Sequence, residues 1–150
     1  SCLNNNSLML IGLYSEKARQ HIIQIKNKIN KLKLQPNYKN IINFRKDLIE
    51  NHNDHWNLIK SSPDFYTVSG VRDLLFHVQE HRFTINKIKE CLNKLGLSFL
   101  GFEDQLIKEK FKVIYTNKDD LYNLDKWEEY EKNNPRTFAG MYQFWCKKID

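Results

Sequence analysis

Two histidines, His77 and His81, stand four residues apart in the segment HVQEH. On a helix this spacing places both imidazoles on one face, and with Glu80 between them it is a pattern by which some metalloproteases bind zinc. Such a site needs a third protein ligand, and the segments around the other three histidines show no matching pattern. We therefore predict no metal site in this chain.

The spacing of apolar residues predicts the elements that hold these histidines. Ser69 can cap a helix with one apolar stripe, formed by Val71, Leu74, Leu75 and Val78. His81 would lie at the margin of that stripe, which leaves two interpretations open. It is half-buried and bonded to a neighbour such as Asp73 or Glu80, or it is a functional imidazole.

The residues that follow predict a helix, a glycine and a strand. Thr84 can cap the helix, and Gly96 stands where a left-handed residue ends it. The residues expected to face inward are Ile85, Ile88, Cys91, Leu92 and Leu95. Residues 97–102, LSFLGF, are apolar on both faces, which is typical of a strand inside a covered sheet. This order indicates an α/β fold.

Two further apolar runs, residues 8–14 and 141–146, also predict strands buried on both faces. A helix capped by Ser15 is expected to follow the first run. The other predicted helices cover residues 38–49, 106–114 and 125–131, and residues 51–63 are expected to be a connector with one short helical turn.

Composition limits the classes of function. A chain of 150 residues with 41% hydrophobic content is long enough for one domain with a substantial core. The net charge of +6 comes from dispersed lysines without a basic cluster, so we expect no nucleic-acid partner. The sequence shows neither a membrane span nor the order of a signal peptide, and its three cysteines have no disulfide or metal spacing. We expect a soluble, cytoplasmic protein with Cys91 and Cys146 packed in its core.

Three stretches together resemble a known family. They are residues 8–19 (LMLIGLYSEKAR), 72–84 (RDLLFHVQEHRFT) with 95–103 (LGLSFLGFE), and 134–148 (NPRTFAGMYQFWCKK). They are similar to the C-terminal half of bacterial class I S-adenosylmethionine-dependent methyltransferases that are often attached to tetratricopeptide repeats. The resemblance implies a Rossmann-like sheet of order 3-2-1-4-5-7-6 with an antiparallel seventh strand.

In that fold the three predicted strands would be strands 5, 6 and 7 of a partial methyltransferase sheet. Residues 1–150 would form a single domain, the C-terminal part of a larger one, with residues 15–96 as a largely helical, substrate-side insertion. The family's glycine-rich loop after strand 1 and its acidic residue after strand 2 have no counterpart in this sequence. Residues 3–7, LNNNS, stand where the family has a Leu-x-Pro-Gly-Gly turn, without its proline and glycines.

The resemblance therefore implies the substrate-side portion of a methyltransferase that acts on an unknown small molecule or peptide. S-adenosylmethionine is implied for the full-length protein, and this chain alone is expected to bind no cofactor and to be inactive. The alternative is a non-catalytic interaction or oligomerisation module derived from that fold.

Candidate site residues follow from this placement. His77 and His81 are the catalytic candidates, because a near-neutral imidazole can accept the proton that a nucleophile loses on methylation. The substrate-binding candidates are Tyr14 and Glu16, at the carboxyl end of the first strand where ligands collect in open α/β sheets, together with Tyr66, Arg72 and Glu80.

The first strand also has a predicted free edge. Without a fourth-strand neighbour, residues 8–14 would leave backbone N–H and C=O groups unpaired beside apolar side chains. We therefore expect the isolated chain to form a homodimer that covers this edge, because closed twofold contacts are the commonest solution among soluble oligomers.

Overall fold

A computed structural model describes residues 4, 7–50, 54–77 and 80–149 of the chain. The chain divides into two compact units, a sheet unit of residues 1–18 with 81–150 and a helical unit of residues 19–80. The turn expected at residues 3–7 lies largely outside the described residues, as do Cys2 and Val78.

The sheet unit contains a mixed sheet with the strand order β2-β1-β4-β3. Its strands are β1 (Leu8–Ser15), β2 (Arg82–Phe83), β3 (Leu97–Phe102) and β4 (Tyr142–Lys148). β4 runs antiparallel to both β1 and β3, and β2 pairs in parallel with β1 at only two positions. The expected α/β class, three strands and antiparallel last strand are confirmed, whereas β2 was not predicted.

Seven α-helices accompany the strands within the described ranges. They are α1 (Gln20–Lys31), α2 (Tyr38–Glu50), α3 (Asp54–Lys60), α4 (Val68–Val71), α5 (Ile85–Leu95), α6 (Gln105–Ile114) and α7 (Leu124–Asn133). Two 3-10 helices, Pro63–Tyr66 and Lys118–Tyr122, connect them. The helices predicted at residues 38–49, 106–114 and 125–131 are confirmed.

Helices α5, α6 and α7 cover one face of the sheet. Trp127 of α7 is fully buried and stacks on Phe111 of α6 with ring centroids 3.7 Å apart. From β1, Met9, Ile11 and Leu13 pack against the same core. Burial of these large aromatic side chains stabilises the unit.

The other face of β1 is open to solvent. Leu8 and Leu10, which alternate with the core residues, are 60% and 47% exposed. In β4, Gln143 and Lys147 are exposed in the same alternating manner. The prediction that both strands are buried on both faces is therefore wrong, because alternate residues along each strand are exposed.

The helical unit has a separate core. Ile25 of α1, Ile41 and Leu48 of α2 and Val71 of α4 are fully buried in it. These residues recur at the spacing of amphipathic helices, so each helix turns one apolar stripe inward. α1 begins at Gln20, after a turn, and no side chain caps it; the expected cap by Ser15 is wrong because Ser15 is the last residue of β1.

The segment that holds the histidines differs from the prediction. Thr67, not Ser69, caps α4, and its hydroxyl accepts a hydrogen bond from the Gly70 N–H at 2.9 Å. The helix continues as a π-helix over Arg72–Phe76 and ends there, and His77 has an extended backbone (φ −63°, ψ 127°). The prediction of one helix bearing His77 and His81 is therefore wrong, and the i, i+4 geometry of a zinc site is absent.

The helix–glycine–strand unit agrees closely with its prediction. The Thr84 hydroxyl accepts from the Lys87 N–H at 3.3 Å, and Gly96 ends α5 with φ +64°, a conformation that L side chains avoid. Leu95 and Cys91 are exposed, so their inward assignment is wrong, whereas Cys146 is buried as expected. The buried stripe of α5 is limited to Ile85, Ile88 and Leu92.

Among the described residues, no helix is both long enough and apolar enough to cross a bilayer. No group of three or more His, Cys, Asp or Glu side chains among the same residues is placed to hold a metal ion.

Candidate functional site

The carboxyl end of β1 leads into a buried polar site within the sheet unit. Ser15, the last residue of the strand, is fully buried. Its hydroxyl donates to Glu131 Oε1 at 2.8 Å and accepts from the Ala18 N–H at 3.1 Å. In open α/β sheets, ligands commonly bind beyond the carboxyl ends of the strands.

Glu131 of α7 is the centre of the site and is 0% exposed. The Tyr142 hydroxyl, at the start of β4, lies 2.7 Å from Glu131 Oε1 and 2.9 Å from Oε2. The Lys17 ammonium lies 3.6 Å from Oε2. The Glu131 carboxyl group is thus surrounded by two hydroxyls and a cation. These partners offset the free-energy cost of removing a charged group from water.

A second carboxylate lies one helical turn before it. Glu128 Oε1 accepts from the Lys17 ammonium at 2.7 Å, so Lys17 faces both acids. Glu128 Oε2 is buried and has no hydrogen-bond partner within the described part of the chain. We refer to Ser15, Lys17, Glu128, Glu131 and Tyr142 as the buried carboxylate cluster.

The environment shifts the proton affinities of this cluster. Burial raises the pKa of Glu131, and this effect exceeds the opposing influence of the Tyr142 and Ser15 hydrogen bonds and the Lys17 charge. Burial also raises the pKa of Tyr142, and the neighbouring Glu131 and Glu128 carboxylates raise it further, so its hydroxyl stays protonated. A carboxyl group with a raised pKa is suited to taking up and releasing a proton closer to neutral pH than an ordinary glutamate.

A third, half-buried acid, Glu80, lies in the helical unit. Glu80 accepts from Arg19 Nε at 2.9 Å and from an Arg19 terminal nitrogen at 3.0 Å, and Lys26 Nζ lies 3.1 Å from it. Burial alone would raise the pKa of Glu80, but the hydrogen bonds and charges of Arg19 and Lys26 together hold it below its ordinary value. This carboxylate is ionised, and because Arg19 and Glu80 are the first and last residues of the unit, the pair joins its two ends.

The predicted residues fall into both units. Tyr14 and Glu16 flank Ser15 at the end of β1, where Tyr14 is 37% exposed and Glu16 forms an ion pair with Lys87 at 3.5 Å. Glu80 is engaged in the ion pairs just described. His81 is exposed and belongs to the sheet unit.

The remaining predicted residues are exposed in the helical unit. Tyr66 is 69% exposed, and Arg72 donates to the Pro36 carbonyl at 2.7 Å. His77 is exposed, and its carbonyl lies 3.5 Å from the Lys26 ammonium.

The sequence prediction missed the buried carboxylate cluster, although a signal was present. In α7, positions 124, 127, 128 and 131 follow the spacing of one apolar face, and Leu124 and Trp127 occupy the first two. Glu128 and Glu131 therefore fall on the buried stripe, where ionisable residues are rare unless paired. Their partners Ser15 and Tyr142 are 116 and 11 residues away from Glu131, so spacing alone could not identify them.

No model of a known protein family matches the sequence, and no curated protein matches it.

Proposed function

We propose that this chain is the substrate-side part of an S-adenosylmethionine-dependent methyltransferase that acts on a small molecule or peptide. The observation that supports this most is the arrangement β1-β4-β3 with β4 antiparallel to both neighbours. It is the 5-7-6 order that the three family-like stretches imply for a Rossmann-like methyltransferase sheet. The lack of disulfide spacing among the cysteines favours a cytoplasmic setting.

Proton transfer is the chemistry to which the described residues are suited. Methylation of a neutral oxygen or nitrogen nucleophile releases a proton, which a carboxylate of raised pKa holds more readily than an ordinary glutamate does. In this proposal Glu131 holds that proton, and Ser15 and Lys17 connect it to the carboxyl end of β1. Tyr14 and Glu16 contact the substrate there, while the exposed His77 and His81 remain alternative bases.

The binding of S-adenosylmethionine tests the proposal. Calorimetric titration of residues 1–150 should detect no binding, because the glycine-rich loop and the acidic ribose-binding residue are missing from this sequence. The full-length protein should bind the cofactor, and its sequence should contain a glycine-rich strand–turn–helix before the residues described here. Micromolar affinity of residues 1–150, or a full-length protein that lacks that motif and does not bind, would overturn the proposal.

The second candidate is a non-catalytic interaction module, which the outer edge of β1 favours. β2 occupies this edge only at Tyr14 and Ser15, and within the described residues no strand pairs with it along residues 8–13. The run contains neither proline nor charge, the usual protections of an exposed edge. In this alternative the chain pairs with a second copy of itself, and the full-length protein binds no S-adenosylmethionine.

A further inference from the structure

Helix α2 carries a second apolar stripe on its solvent side. Its buried stripe consists of Ile41, Phe44 and Leu48. The second stripe lies beside it with the same helical spacing and contains Tyr38, Ile42 and Ile49. Tyr38 is 67% exposed and Ile49 is 50% exposed. Single exposed apolar residues are ordinary, but a stripe of them about 16 Å long is a candidate contact surface.

A cleft of about 320 Å³ lies at the carboxyl end of this outer stripe, within the helical unit. Its lining residues are Arg45, Ile49, Lys60, Phe65 and Tyr66. An Arg45 terminal nitrogen donates to the Tyr66 carbonyl at 3.2 Å, which connects α2 to the 3-10 helix Pro63–Tyr66. The Lys60 ammonium lies 3.2 Å from the Ile49 carbonyl, which connects α3 to the end of α2. These bonds fix the walls of the cleft relative to one another.

The apolar side chains of the cleft are accessible to a ligand. Tyr66 is 69% exposed, and Ile49 is half exposed on the opposite wall. The buried Phe65 ring holds the Tyr66 ring edge-on, with centroids 5.8 Å apart and planes at 87°. An incoming apolar group can therefore contact Ile49 and Tyr66 without any change in the core.

The surface around the cleft is cationic. The Arg45 guanidinium makes no ion pair within the described part of the chain, so it keeps donors for an anion. Lys39 and Lys46 are exposed beside the outer stripe and likewise make no ion pair with the described residues. None of the described residues that line the cleft is acidic. The sequence contains no Asp or Glu between Glu16 and Asp47, so a complementary partner is anionic.

We propose that the outer stripe of α2 and this cleft dock an acidic peptide segment of a partner protein, in which apolar residues stand among Asp and Glu. An apolar side chain of the peptide packs between Ile49 and Tyr66, and a neighbouring carboxylate pairs with Arg45. Further apolar residues follow the stripe towards Tyr38. A peptide fits better than a small molecule, because the cleft is open and continues into the stripe, whereas small-molecule sites enclose most of their ligand. The assignment is independent of the methyltransferase proposal, since it needs no cofactor.

Fluorescence anisotropy on the intact chain tests the proposal with three labelled peptides of about twelve residues, long enough to follow the stripe. In the first peptide leucines recur among glutamates, in the second glutamine replaces each glutamate, and in the third serine replaces each leucine. The first should bind with a Kd on the order of 100 µM, and each of the others about five- to tenfold more weakly. Equal affinity for all three, or no binding of the first up to about 1 mM, would refute the assignment.

Three substitutions identify the contacts. Arg45→Gln should abolish the preference for the glutamate peptide over the glutamine peptide. Ile49→Ser and Tyr66→Ala, both at exposed side chains, should each abolish the preference for leucine over serine. Arg136→Gln and Ile114→Ser, at exposed positions of the sheet unit, are the matched controls and should leave all three affinities unchanged. Control effects as large as those of Arg45→Gln and Ile49→Ser would show that only general surface charge and hydrophobicity matter, and would overturn the proposal.

Other occupants of such a surface give distinct results. Phosphatidylserine vesicles or a single-stranded DNA oligonucleotide that bind more tightly than the first peptide, and are lost in Arg45→Gln, would assign the surface to a membrane or a nucleic acid. Self-association that is lost in Ile49→Ser would assign it to a second copy of the chain. Each of these results would overturn the assignment to an acidic peptide.

Discussion

Removal of the Tyr142 hydroxyl measures how the buried carboxylate cluster is stabilised. In Tyr142→Phe the Glu131 carboxyl loses a donor that lies 2.7 and 2.9 Å from its two oxygens. No solvent can replace this donor, because Glu131 is 0% exposed. A hydrogen bond to an ionised group contributes about 1.5–3 kcal/mol, so we expect the free energy of unfolding to fall by about 2 kcal/mol at pH 8.

The loss of stability in Tyr142→Phe should be larger at high pH than at low pH, because the pKa of Glu131 is raised in the folded protein. That pKa is raised above 4.5 in the folded protein, so the folded state binds more protons than the unfolded state between the two values. Stability from this group is therefore fully present below about pH 4.5 and declines as pH rises through the folded pKa. Tyr142 opposes the upward shift, so its removal should raise the folded pKa further and enlarge the decline.

Urea unfolding of Tyr142→Phe and the parent chain at pH 4 and pH 8 provides the assay. At pH 4, where Glu131 is protonated, the substitution removes only a neutral hydrogen bond. The difference in the free energy of unfolding between the two proteins should therefore shrink to about 1 kcal/mol. Tyr130→Phe is the matched control, because Tyr130 is also buried in this core but its hydroxyl bonds to none of the described residues. Equal effects of the two substitutions, or a Tyr142→Phe effect independent of pH, would refute the reasoning.

Three further predictions concern other parts of the chain. Glu80→Gln should lower the free energy of unfolding by about 2 kcal/mol at pH 7, because it removes the ionised Glu80–Arg19 pair. The difference in stability between variant and parent should narrow below pH 4.5, where the parent chain also loses this pair. A stability difference that stays the same at low pH would contradict this prediction. Elemental analysis should find less than about one zinc per chain, with the same content in His77→Ala, whereas stoichiometric zinc lost on that substitution would restore the metal hypothesis. Light scattering over a dilution series should show a dimer that Leu10→Lys weakens and that the control Leu95→Lys, at an exposed position of α5, does not weaken. A monomer at high concentration would show that the β1 edge needs no partner.

Local signals predicted some elements well because the causes of those elements are themselves local. In α5, the cap by Thr84 and the left-handed Gly96 act within one turn of the helix ends, so the sequence determined both bounds. Apolar spacing also predicted β1, β3 and β4. The antiparallel direction of β4 was predicted from the resemblance to the methyltransferase family. Apolar spacing could not predict which face of β1 is covered. Whether Leu10 is covered depends on which helices pack against the sheet and not on the sequence of β1 itself.

Errors arose where distant residues decide the local conformation. Apolar spacing continues from Val71 through Leu75, yet the chain leaves the helix after Phe76 and forms a two-residue strand at Arg82–Phe83. A strand of that length has no periodicity to detect, since its pairing with β1 defines it.

Glu80 and Glu131 show why a charged residue on an apolar stripe is a better guide to a site than the spacing between catalytic residue types. Glu80 stood in a motif with histidines, but its contacts with Arg19 and Lys26 lower its pKa and keep it ionised. Glu131 stood in no motif, yet its position on an apolar stripe forces burial, and burial raises its pKa. An ionised, doubly paired carboxylate stabilises a fold, whereas a buried carboxyl group with a raised pKa keeps its proton to a higher pH than an ordinary glutamate does. Glu131 is therefore the stronger candidate for proton-transfer chemistry.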